Sequence, residues 1–116
     1  MAKGVQVGDG SVIGNNVDIK KDVVIGENVQ IGDNTEIKED VVIGSDVVIG
    51  SDVDIKKNTV IGDNVQIGDN TEIKENVVIG SDVVIGKNVQ IGDGATILDG
   101  AVVPEDTVIP AGTTYP

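Results

Sequence analysis

Histidine and cysteine, the residues with the widest catalytic and metal-binding range, are absent from the 116-residue chain. Imidazole bases, thiolate nucleophiles, disulfides and the common zinc sites are thereby excluded. What remains is carboxylate and ammonium chemistry. Adjacent acids occur at Glu39 with Asp40 and at Glu105 with Asp106, and Asp46, Asp52 and Asp82 sit where oxygens could hold calcium loosely. Aspartate is also a turn residue in its own right, which accounts for the last three without a metal. All of these acids fall between short apolar stretches, at exposed corners where nothing desolvates them and moves their pKa values toward neutrality. Gly8-Asp9-Gly10 lacks the strand-to-helix setting that gives a glycine string meaning as a phosphate loop. The residues therefore predict no catalytic group, no metal ligand, no cofactor and no small-molecule substrate.

The elements that carry these residues follow from a period of six. Every sixth residue from Val7 to Tyr115 is large and apolar: 16 are Ile and the others are Val7, Val103 and Tyr115. Two residues before each lies Val, Thr, Ser or Ala, so a small and a large side chain share one face of a short strand while the residue between them points outward. Gly follows the large residue in eleven units, and the next two positions are drawn from Asp, Asn, Ser, Gly, Lys and Glu, as a tight turn with left-handed backbone requires. Each hexad reads as one strand and one corner.

A second period overlies the first. Lys replaces the post-Ile Gly at Lys20, Lys38, Lys56 and Lys74, always 18 residues apart, so three hexads make one coil. Repeats of this kind form solenoids, in which stacked neighbours supply the core that no unit can bury alone. The pattern I-G-x-[ND]-[VT]-x resembles the hexapeptide-repeat superfamily over nearly the whole chain. The resemblance implies an all-β fold: a single-stranded left-handed parallel β-helix, or β-solenoid, with three strands per 18-residue coil and about six coils. The hand comes from the resemblance alone, since periodicity does not reveal it and crossovers are normally right-handed. One domain is expected over 1–116, with a lead-in at 1–4, regular hexads at 5–97 and a proline-containing closing coil at 98–116. Natural members include acyltransferases that use acetyl- or acyl-coenzyme A and gamma-class carbonic anhydrases, and both rely on histidine, which this chain lacks.

A third period, of 36, concerns origin. Residues 29–49 recur as 65–85 with only Asp40 changed to Asn76. Such regularity, with no loop inserted, leads to the expectation of a designed or consensus structural scaffold that is not an enzyme. Two alternatives stand beside it: a binding or self-association module, and a degenerate acyltransferase relative that has lost its histidine. Ice binding is the weaker form of the first, because Thr35, Thr59, Thr71 and Thr107 occupy inward positions and only Thr96 and Thr114 point outward.

The three sides differ in what they display. One carries Asp18, Glu36, Asp54 and Glu72 two residues before the lysine column, with corner residues Lys21, Glu39, Lys57 and Glu75 alternating in sign. It reads as a solvated face that opposes slippage by one coil. A second presents Val24, Val42, Val60 and Val78 in an unbroken column, the candidate face for a homo-oligomer. The third alternates Val with Gln. At the C-terminal end Pro104, Pro110 and Pro116 take the same hexad position, one per side, and with Tyr115 they form the expected cap, since proline cannot donate to a ladder. A net charge of −12 argues against nucleic acid and anionic membrane as partners. No apolar run approaches the ~18 residues that span a bilayer, and Met1 to Val5 enter the repeat at once, so no leader is expected and the cytoplasm is the expected compartment on recombinant expression.

Overall fold

The computed structural model describes residues 3–116. Among them are nineteen two-residue strands, from Gln6–Val7 to Thr114–Tyr115, and no helix. Consecutive strands never pair. Each pairs in parallel with the strand one coil away, as in Val24↔Val42 and Ile25↔Ile43, always 18 residues on. The result is three parallel sheets, one of seven strands and two of six, stacked as a solenoid of about six turns. We call them the Val sheet (through Val24–Ile25), the mixed sheet (through Gln30–Ile31) and the charged sheet (through Glu36–Ile37), in the order the chain visits them.

The alternation within each hexad decides the packing. Inward Ile and Val side chains form one continuous aliphatic column, with Ile37, Ile55 and Ile73 fully buried. Thr35, Thr59 and Thr71 also lie inside, and each hydroxyl donates to a corner carbonyl one coil on: Gly50 at 3.1 Å, Lys74 at 2.9 Å and Gly86 at 3.1 Å. A buried hydroxyl without such a partner would be destabilising, so the inward Thr positions are polar only in composition.

Corner geometry explains the turn residues. The second residue after each Gly or Lys has left-handed backbone, as at Asn34 (φ 61°), Asp46 (φ 60°) and Gly94 (φ 70°). Asn, Asp and Gly are the residues that enter this region most readily, and they alone fill the position. The preceding Gly is required by space instead. A Cβ on Gly32 would come 2.6 Å from the carbonyl of Gly50 directly above it.

The ladder also explains the last coil. Backbone N–H groups of the outward and post-Ile residues donate to the following coil, as Gly86 does to Val103 (2.9 Å), Gly92 to Ile109 (2.8 Å) and Leu98 to Tyr115 (2.8 Å). One coil further these donors fall at 104, 110 and 116, and all three residues are proline, which has no N–H to leave unpaired. Tyr115 is half-buried against the end of the core, and its hydroxyl donates to the Val102 carbonyl at 3.2 Å.

Candidate functional site

Two of the three corners are alike and the third is not. Where Gly stacks on Gly, neighbouring coils come into backbone contact. The corner between the charged and Val sheets carries Lys20, Lys38, Lys56 and Lys74 in that place. Each lysine needs room for a Cβ, and the coils respond. In the middle of this corner the hydrogen bonds to the preceding coil are Asp40 to Lys21 at 3.3 Å, Asn58 to Glu39 at 3.1 Å and Asn76 to Lys57 at 3.2 Å, while towards its ends Asp22 to Lys3 is 3.0 Å and Gly94 to Glu75 2.9 Å. Their equivalents at the glycine corners, such as Asp46 to Glu27 and Asn64 to Ser45, are 2.9–3.0 Å.

The side chains widen the difference. At six glycine-corner positions a short Asp or Ser accepts from the backbone N–H one coil earlier, as in Ser45 to Asp63 Oδ1 at 2.9 Å, Ser51 to Asp69 Oδ1 at 2.8 Å and Ser81 to Asp99 Oδ1 at 2.8 Å. At the lysine corner the residues one coil on from Lys21 and Glu39 are Glu39 and Lys57, too long for this bond, and among the described residues no side chain accepts from these N–H groups. Only Glu75, followed by Asp93, makes it, at 3.0 Å.

The loosened corner is a shallow groove of about 340 Å³ lined by Lys38, Glu39, Lys56, Lys57 and Glu75. Two of its ammonium groups are held from below. Lys38 Nζ lies 3.0 Å from Glu36 and Lys56 Nζ 3.0 Å from Asp54, with Lys20–Asp18 at 3.1 Å and Lys74–Glu72 at 3.4 Å continuing the row. The hydrogen bond that Lys56 donates to Asp54 raises its pKa most, burial opposes this, and the Asp54 charge adds a smaller upward effect; Lys20 is raised by its hydrogen bond to Asp18 and then by the Asp18 charge. Asp54 Oδ1 is itself buried with no hydrogen-bond partner, so that carboxylate is held by one oxygen only. The alternating corner charges, by contrast, form no ion pair within 4 Å among the described residues. The pairing that exists runs along each strand and not from coil to coil.

Sequence reasoning took the lysine side as a register device and missed the groove. The signal was present in the broken glycine column, because a Cβ cannot stack where glycine does without opening the corner. The other singled-out residues do not converge. Glu39 lines the groove; Asp40 is at the same corner with left-handed backbone (φ 60°). Glu105 and Asp106 lie in the last coil, and Asp46, Asp52 and Asp82 occupy separate left-handed corner positions of φ 60°. Among the described residues no group of three or more acids is placed to hold a metal ion, and no helix is long and apolar enough to cross a membrane.

Stacked hexads, parallel ladders and Asn or Asp corners define a hexapeptide-repeat β-solenoid. The model of the family described as bacterial transferase hexapeptide (six repeats) matches residues 4–39, 22–57 and 58–89, and the chain belongs to that family. Comparison with curated protein sequences gave no match. Among solved structures, 97% of the chain aligns with WeeI from Acinetobacter baumannii at 27% identity and a TM-score of 0.63, covering 49% of that protein. It aligns equally far with the acetyltransferase domain of PglB from Neisseria gonorrhoeae (24% identity, TM-score 0.68, 48% of that chain), a likeness of fold. A Bacillus cereus protein assigned as an acetyltransferase matches at 25% identity and a TM-score of 0.50, with 97% of this chain against 72% of that one. The chain thus spans about half the length of two of these proteins.

These matches correct the expectation of a non-enzymatic structural scaffold. The family is one of bacterial transferases, and its solved relatives include acetyltransferases. The physical reason for the error is that perfect hexads describe only how the solenoid packs. The same packing underlies the enzymes, whose chemistry rests on a few residues outside the repeat consensus.

Proposed function

We propose that the chain is an acyltransferase-type member of the hexapeptide family that lacks the histidine base, and that the lysine corner is its ligand-facing surface. The single observation that carries the reading is the family match across residues 4–89, joined to a corner that departs from the glycine stacking around it. Acyl transfer to an amine or hydroxyl needs an anionic donor held in place, a group that takes the proton, and dipoles facing the oxygen that gains charge. The groove is lined by the lysines Lys38, Lys56 and Lys57 and by the carboxylate residues Glu39 and Glu75, and the backbone N–H groups of Glu39 and Lys57 donate to no partner among the described residues. A carboxylate is a weaker base than imidazole near neutral pH, so slow turnover is expected.

Calorimetric titration of the full chain with acetyl-coenzyme A tests this. Saturable binding is expected, weakened by added salt and by Lys38→Ala combined with Lys56→Ala. Heats indistinguishable from dilution would defeat the reading. Binding that the double variant leaves unchanged would remove the lysine corner from it.

A further inference from the structure

We propose that Asp9-Gly10 is a site of spontaneous covalent modification, where aspartate converts to isoaspartate, and that the same dipeptide elsewhere in the chain is protected by the coil stacked against it. Asp-Gly occurs three times, at Asp9-Gly10, Asp93-Gly94 and Asp99-Gly100. All three pairs are exposed and take the same two corner positions, and their glycines share left-handed backbone at φ 77°, 70° and 75°. Glycine is the follower that least hinders closure of a cyclic imide, because no Cβ shields its amide nitrogen. Local sequence and conformation treat the three pairs alike. Only their neighbours differ.

The reaction joins the glycine nitrogen to the aspartate Cγ, and at two of the pairs both groups are tied to the preceding coil. The Gly94 N–H donates to the Glu75 carbonyl at 2.9 Å, and Asp93 Oδ1 accepts from the Glu75 N–H at 3.0 Å. Likewise the Gly100 N–H donates to the Ser81 carbonyl at 2.9 Å, and Asp99 Oδ1 accepts from the Ser81 N–H at 2.8 Å. Asp9 and Gly10 lie in the first coil, and among the described residues the Gly10 N–H donates to nothing and the Asp9 carboxylate accepts from nothing. The coil-to-coil bond at this corner runs from the Asn28 N–H to the Asp9 carbonyl at 3.0 Å and restrains neither reacting group. In the reaction the Gly10 nitrogen attacks Cγ of the protonated carboxyl. A C–N bond forms, the C–OH bond breaks, and the hydroxyl leaves with the amide proton as water. One water then opens the imide. Addition at Cγ restores aspartate; addition at the former main-chain carbonyl carbon gives isoaspartate, with the chain running through Cγ and that carbonyl now a free carboxylate. The product lengthens the first corner by one methylene at the point where Asn28 ties onto it.

Ageing the full chain at mildly acidic pH, followed by digestion and electron-transfer fragmentation, measures isoaspartate at each pair, with each site referred to its own rate in concentrated guanidinium. Asp9 is expected to convert in the folded chain nearly as fast as in denaturant. Asp93 and Asp99 should fall behind their denatured rates roughly tenfold or more, because their hydrogen bonds must open first. Asp9→Asn and Asp93→Asn repeat the comparison through the faster loss of ammonia. Asparagine already stands at this corner position at Asn15, so both variants suit the fold. Asp93 or Asp99 converting as readily as Asp9 in the folded chain, or Asp9 as strongly protected as they are, overturns the proposal.

Discussion

The lysine corner and the two glycine corners are built from the same hexad and differ at one position, and that position changes how the coils meet. Where Gly stacks on Gly, backbone rests on backbone and a short Asp or Ser ties each coil to the one before. Where Lys replaces Gly, the connecting hydrogen bonds in the middle of the column are 3.1–3.3 Å, the N–H groups of Lys21 and Glu39 have no side-chain acceptor, and a groove lies alongside. The glycine corners hold the solenoid together. The lysine corner gives up some of that contact and gathers Lys38, Glu39, Lys56, Lys57 and Glu75 around a groove.

Substitutions that exchange the character of the corners separate the two roles. The largest effect is expected at Gly32→Ala, because the new Cβ would meet the Gly50 backbone at 2.6 Å and backbone cannot step aside. A loss of about 1–3 kcal/mol in denaturant unfolding is predicted, as for an overfilled core. Asn64→Ala keeps the corner's size but forces an alanine into left-handed backbone at φ 58°, for a loss of about 1–2 kcal/mol. At the lysine corner, Lys56→Ala removes a partly exposed ion pair with Asp54 and should lower stability by less than about 1 kcal/mol. Lys57→Asp runs the other way. It gives the Glu39 N–H a short acceptor one coil on, and a gain of about 0.5–1 kcal/mol is expected, with slower hydrogen exchange at Glu39.

The smallest effect is one of pH. The pKa of Lys56 is raised by Asp54, so the stability it contributes is fully present below the ordinary lysine value of 10.5 and is lost as pH rises through the higher folded value. Unfolding measured on either side of that range should show a slight alkaline loss, which Lys56→Met removes.

The fold was legible almost entirely in the sequence, because a solenoid repeats one local rule and has no long-range choice to make. The period of six located every strand, 18 located the pairing partner of each, and the corner Asn and Asp reported left-handed backbone before any coordinates. The three prolines marked the end of the ladder, although only the direction of the hydrogen bonds shows why they stand at 104, 110 and 116. The candidate site was less legible. Charge patterning at Lys21, Glu39, Lys57 and Glu75 suggested pairing from coil to coil, but neighbouring strand residues such as Asp54 reach the lysine column first. The groove depends on a few tenths of an ångström of backbone separation, a quantity that residue types imply only when one asks what a Cβ would touch. Family membership corrected the functional expectation, since regular packing is common to a scaffold and to an enzyme's frame.

The most direct test of the lysine corner as the ligand-facing surface is a titration of the ¹⁵N-labelled chain with acetyl-coenzyme A, followed amide by amide. Progressive shifts confined to Lys38, Glu39, Lys56, Lys57 and Glu75 are predicted, with the glycine corners at Gly32, Gly50 and Gly68 unmoved. Shifts centred on the glycine corners, or none at saturating ligand, would contradict it.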